Sequence, residues 1–122
     1  MRLIAGTTVL IAMLIGATAV DATGSRYRAW VSCGIYGRAS HSCYVGDLPY
    51  ANFRDLRRSD TRYRLCVTRP SGRTICRNRT TGSRGSTQRI PLRSENVGWH
   101  YVRWLRNGRV IARWSYYMNV GD

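Results

Sequence analysis

With 122 residues the chain has room for one ordinary domain and cannot bury two cores. Its 43% apolar and 11% aromatic content excludes a disordered tail. The formal charge of +14, from 20 basic and 6 acidic residues, is carried by arginine alone, since lysine is absent. Codon bias in a GC-rich genome and selection for the planar guanidinium, which grips phosphate and carboxylate, both produce that pattern. The absence of lysine from the entire chain, rather than from one patch, favours codon bias.

The first readable element is a leader. Met1-Arg2 is a short positive start, and residues 3–20 (LIAGTTVLIAMLIGATAV) carry no charge. Ala17-Thr18-Ala19 is a small-x-small cleavage pattern, with Asp21 just beyond it. These features predict a Sec-type signal peptide over residues 1–19, cut after Ala19 or alternatively after Ala22. The apolar run is at the lower limit for crossing a bilayer, so an N-terminal anchor outside the cytoplasm is the alternative. No cysteine follows the run directly, which excludes a lipoprotein signal. Cleavage would release a secreted single domain over residues 20–122, with Arg2 lost and a charge of +13.

The rest reads as short strands between turns. Candidates are residues 27–33, 41–45, 50–56, 62–68, 74–78, 88–93, 99–105 and 110–118. Gly46-Asp47-Leu48-Pro49 breaks the second from the third, residues 80–85 form a polar loop, and Pro91 confines residues 88–93 to an edge or a bulge. No helical period, repeat or linker is present. The pattern predicts an all-β antiparallel sandwich of about seven strands.

Cys33, Cys43, Cys66 and Cys76 are even in number in a small exported chain, which implies disulfides. Four cysteines allow three connectivities. Pro70-Ser71-Gly72 is turn chemistry, and folding about Ser71 sets Thr68 opposite Thr74, Val67 opposite Ile75 and Cys66 opposite Cys76. Cys33 and Cys43 have the same spacing and form the default second pair, while Cys33–Cys66 or Cys43–Cys76 links stay open. Each bridge contributes roughly 2–4 kcal/mol, with short loops at the low end. Zinc fits poorly: structural sites use close pairs such as C-x2-C, and only His41 and His100 could add ligands. No metal or other cofactor is expected.

The last hairpin has its tip at Arg106-Asn107-Gly108. A two-residue Asn-Gly turn would set Trp104 opposite Ile111. A three-residue loop sets Trp104 opposite Val110, Val102 opposite Ala112 and His100 opposite Trp114. The second register gathers Val102, Trp104, Val110, Ala112, Trp114 and Tyr116 on one face and sends Arg103, Arg109 and Arg113 to the other, so burial favours it. Residues 97–114 (VGWHYVRWLRNGRVIARW) resemble the last two strands of immunoglobulin-like sandwich domains in small exported bacterial, actinobacterial-type proteins. The Gly98-x-x-Tyr101 stretch is similar to the corner of such domains, with His100 at the tyrosine position. The resemblance implies an immunoglobulin-like sandwich and, by itself, no particular function.

Charge is the strongest functional signal. Residues 54–93 hold twelve arginines against Asp55 and Asp60, a local balance of +10. Arg62, Arg64, Arg69, Arg73, Arg77 and Arg79 surround the Ser71 hairpin and are the candidate anion-binding residues. They suit an anionic polymer or envelope surface: nucleic acid, anionic lipid or a phosphate-rich wall polymer. The plain alternative is a solvated surface in an arginine-biased protein, since no nucleic-acid-reading motif is present. Among the C-terminal aromatics, Trp104, Trp114 and Tyr116 have core parity. Trp99, Tyr101 and Tyr117 have outward parity and are the candidate contacts for a protein partner.

Catalysis has little support. Glu95 would have to pair with Asp21, Asp47, Asp55 or Asp60, and no spacing assembles such a pair. There is no G-x-S-x-G nucleophile elbow. Asn78-Arg79-Thr80 is a glycosylation sequon that matters only in a eukaryotic secretory pathway. The sequence thus points to an exported non-enzymatic binding or accessory module that engages an anionic envelope polymer through its arginines. The rivals are a protein-binding module, such as an inhibitor or adhesin, and a small secreted hydrolase.

Overall fold

A computed structural model of the chain describes residues 26–81, 86–93 and 96–121. The expected leader and its cleavage sites lie outside these residues. Eight strands form: β1 (Tyr27–Ser32), β2 (Ser42–Tyr44), β3 (Tyr50–Asp55), β4 (Arg62–Thr68), β5 (Thr74–Thr80), β6 (Gln88–Pro91), β7 (Gly98–Arg106) and β8 (Arg109–Asn119). They make two sheets, β1-β3-β6 and β2-β8-β7-β4-β5. All neighbours are antiparallel except β2, which runs parallel to β8. β1, β3 and β6 take the places of strands A, B and E of an immunoglobulin-type sandwich, and β8, β7, β4 and β5 those of G, F, C and C′. The first strand is split, with β1 in one sheet and β2 in the other.

Alternation along each strand builds the core. Val31, Phe53, Leu65, Val102, Trp104, Tyr116 and Met118 are buried between the sheets. The disulfide between strands B and F common in antibody domains has no counterpart in β3 and β7: Cys33 is bonded to Cys43 and Cys66 to Cys76. Cys33–Cys43 ties the end of β1 to β2, and so one sheet to the other. Cys66–Cys76 joins directly paired residues of the β4–β5 hairpin, as folding about Ser71 predicts. Its turn is closed by the Arg69 N–H on the Arg73 carbonyl at 2.9 Å and the Gly72 N–H on the Arg69 carbonyl at 2.8 Å. Gly72 has φ +90°, which a residue without a side chain adopts at no steric cost.

The β7–β8 register departs from expectation. Arg106 pairs with Arg109, so the turn is the two-residue Asn107-Gly108 type, with φ of 52° and 77°. Leu105 pairs with Val110, but Trp104 pairs with Ala112, Val102 with Trp114 and His100 with Tyr116. A bulge therefore leaves Ile111 as the extra residue on β8. Turn chemistry sets the tip, and the bulge returns the apolar residues to the core face. Burial could not separate this register from the expected one, because a shift of two residues preserves the face. Val110 is the exception, since it lies across from Leu105 rather than Trp104.

One buried carboxylate closes an end of the sandwich. Asp55 is fully buried, and Arg26 donates to it through Nη2 at 3.1 Å and Nε at 3.3 Å. The Thr61 hydroxyl and the Arg57 amide also donate to it. Burial pushes the Asp55 carboxyl up, but the hydrogen bonds from Arg26, Thr61 and the Arg57 amide outweigh it and hold the group below its ordinary value. This acid, a candidate for a carboxylate pair by composition, is consumed in structure.

Candidate functional site

The free edges of the two sheets, β5 and β6, lie on the same side of the sandwich. The three-stranded sheet is narrower than the five-stranded one, so the inner face of β5 is only partly covered. The edges carry their own protection against pairing with another chain. Arg77 and Arg79 project from the inner side of β5, opposite Leu65 and Tyr63, and Pro91 occupies β6. A slot of about 180 Å³ runs between the edges. Its floor is Leu65, Val67, Ile75, Ile90 and Leu92, and Arg69, Arg77, Arg79 and Arg93 line its rim.

Arg79 also lines a second, more open hollow of about 780 Å³, together with Arg62, Tyr63, Arg64, Gln88 and Asn107. Arg62 and Arg64 reach it from the outer face of β4, and Arg64 Nη1 donates to Asn78 Oδ1 at 3.0 Å. The six candidate arginines thus do not form one patch. Arg62, Arg64 and Arg79 meet at one hollow, Arg69, Arg77 and Arg79 at the other, and Arg73 sits exposed at the hairpin turn. Arg26–Asp55 is the only ion pair among the described residues, so none of the six has a carboxylate partner there.

Tyr63, which neither charge nor motif singles out, lines the open hollow beside Arg79, the residue that the two hollows share. It is 4% exposed and packs against Phe53 with ring centroids 4.4 Å apart. Its hydroxyl and the Nε of its cross-strand neighbour Arg79 are both buried with no hydrogen-bond partner among the described residues. Burial pushes the phenol well above its ordinary pKa, against the pull of the Arg79 charge. The hairpin register that pairs Cys66 with Cys76 also pairs Tyr63 with Arg79, so the signal was present in the sequence.

The aromatic candidates do gather. Trp99 is 47% and Tyr101 50% exposed, on the outer face of β7. Trp99 meets Tyr117 edge-on at 5.3 Å and Tyr101 at 6.5 Å. Beyond them Tyr101, Arg103 and Arg113 line a hollow of about 580 Å³ with His41 and Trp114. His41 stacks on Trp114 at 4.1 Å, and its Nδ1 is 2.6 Å from the Ser115 carbonyl oxygen. His100 is buried and stacked on Tyr116 at 4.8 Å, with Nδ1 3.1 Å from the Gly98 carbonyl oxygen. Among the described residues, Cys33, Cys43 and Asp47 are grouped closely enough to ligate a metal ion, but both sulfurs are already joined in a disulfide.

No protein-family model and no curated protein matches the sequence. Among solved structures, an immunoglobulin-like protein from Pseudomonas aeruginosa is similar over 78% of this chain and 93% of its own, with a TM-score of 0.47 and 10% identity.

Proposed function

We propose that the protein is an exported, non-enzymatic binding module whose arginine-bearing β4–β5 side engages an anionic polymer at the cell envelope. The observation that carries this reading is the absence of carboxylate partners for Arg62, Arg64, Arg69, Arg73, Arg77 and Arg79 among the described residues. Unpaired guanidiniums on a rigid, disulfide-held hairpin are preorganised for phosphate or carboxylate. Two intramolecular disulfides suit a non-reducing compartment, and the leader pattern supports export.

Binding of a polyphosphodiester probe should fall steeply with salt. If Arg62, Arg64 and Arg79 each neutralise one phosphate, affinity drops about 20- to 40-fold between 50 and 200 mM salt. Replacing Arg62 and Arg64 by glutamine should flatten that slope. No binding even at low salt would defeat the reading. The Trp99–Tyr101–Tyr117 cluster supports a second reading, a protein-binding face. Such binding would tolerate salt and weaken on Tyr101→Ala.

A further inference from the structure

We infer that the open edge between β5 and β6 binds a single-chain anionic amphiphile, its head at the Tyr63–Arg79 pair and its alkyl chain in the slot over Leu65, Val67, Ile75, Ile90 and Leu92. This goes beyond polymer binding, because the exposed arginines of β4 demand only charge, whereas this site joins charge to an apolar recess.

Three observations converge on it. The first is the pair of orphaned donors. Buried hydroxyl and guanidinium N–H groups are almost always satisfied, and leaving both unpaired is costly. Both atoms are closed to solvent, so an oxygen of an anionic head reaches them only once the Arg79 side chain shifts toward the open hollow that it lines. Tyr63 is almost fully buried, so its hydroxyl serves a recessed group and not the bulk surface. The second is the slot itself. Its volume of about 180 Å³ would hold about six waters at liquid density, but its floor offers five aliphatic side chains and no polar anchor for them. The third is continuity: Arg79 lines both the polar hollow and the slot, so head and chain sites share a wall. The rim supplies four guanidiniums, and no carboxylate lines the slot among the described residues. A neutral lipid would leave that charge uncompensated, and a naked anion would leave the floor wet.

A strand added from a partner protein suits the same edges less well. Inward-pointing Arg77 and Arg79 and Pro91 on β6 oppose edge pairing. The head can be a carboxylate or a phosphate monoester, since both present oxygens to the same donors.

The test is titration of the oxidised protein with decanoate and with decyl phosphate, below their micellar concentrations, followed by backbone-amide NMR. Inorganic phosphate and decanol are the controls. Binding should strengthen about fourfold for each methylene added between propyl and hexyl, the factor expected for burying one CH₂, and level off as the chain outgrows the slot. Shifts should concentrate at Leu65, Ile75 and Ile90. Tyr63→Phe should weaken binding of the favoured head about tenfold, as loss of one charge-assisted hydrogen bond does, and should leave the melting temperature unchanged or higher. Arg79→Gln should weaken it further. Arg62→Gln with Arg64→Gln should flatten the salt slope of polymer binding but leave the chain-length dependence of amphiphile binding, which is set by the slot floor, unchanged; this separates the two readings. Equal affinity of wild type and Tyr63→Phe, no dependence on chain length, or decanol binding as tightly as the anions would overturn the inference.

Discussion

Replacing Asp55 by asparagine breaks the one ion pair among the described residues. The carboxylate accepts from Arg26 through two nitrogens, from the Thr61 hydroxyl and from the Arg57 amide. Asparagine keeps one acceptor, which can retain the Arg57 amide, but turns an NH₂ toward donors that have nowhere else to go. Breaking a fully buried ion pair costs about 3–5 kcal/mol. Arg26 is 21% exposed and regains some water, so a loss of about 3 kcal/mol is expected. That corresponds to a fall of roughly 12–24 °C in melting temperature for a domain of this size. Urea denaturation at neutral pH measures it, and acid provides the control. The folded-state pKa of Asp55 is depressed, so the unfolded chain binds the proton more readily. The carboxylate's contribution is therefore complete above the ordinary aspartate pKa and is lost as pH falls through the lower folded-state value. The gap between wild type and Asp55→Asn should close over that acid range. A gap under 1 kcal/mol at neutral pH, or one that persists unchanged in acid, would refute the assignment.

Each disulfide spans a sequence separation of 10, so chain entropy assigns each about 2.7 kcal/mol. Paired serine substitutions should lower stability by similar amounts, measured by urea midpoint, but only loss of Cys33–Cys43 should speed amide exchange in β2, which is three residues long. The Tyr116 hydroxyl is buried without a hydrogen-bond partner among the described residues, so Tyr116→Phe should stabilise by about 1 kcal/mol; a loss of that size would show a partner. His100 is held below its ordinary pKa of about 6.5 by burial, despite its hydrogen bond to the Gly98 carbonyl and with the Arg69 charge acting in the same direction as burial. Its stabilising effect is full above that value and declines as pH falls below it, so the urea midpoint should drop from pH 7 to 5 and His100→Gln should flatten the drop.

Where local chemistry and face parity agree, the sequence already carries the answer. Pro70-Ser71-Gly72 fixes the β4–β5 register to the residue, and the Cys66–Cys76 bond follows from it. Pro91 confines β6 to an edge, where it lies. The strand from residue 74 runs two residues past its expected end at residue 78, because Arg79 and Thr80 still pair with Tyr63 and Arg62. The β7–β8 hairpin shows the limit. Parity distinguishes registers that differ by one residue and is blind to those that differ by two, so a bulge opposite Trp104 and Leu105 left no trace in the pattern. The parallel partnering of β2 with β8 was also hidden, since a three-residue strand carries too little pattern to name its neighbour. The slot between β5 and β6 needs both sheets in place, and no single strand contains it.

The distribution of arginine bears on its purpose. Codon bias acts on every position alike, yet residues 39–53 contain no arginine and residues 54–93 contain twelve. The arginine-free stretch includes β2, the edge of the large sheet opposite β5. Both edges face the same hazard of pairing with other chains, and only one is defended with charge. β2 is short and tied down by Cys33–Cys43, so it offers little edge to defend. β5 has seven residues and needs the inward Arg77 and Arg79, which explains two arginines. Edge defence does not require the outward Arg62 and Arg64 on the adjacent strand, nor Arg69 and Arg93 at the slot's rim. None of those four has a carboxylate partner among the described residues. Edge defence therefore accounts for two of the arginines around the β5 edge and leaves the purpose of the other four to the binding tests above.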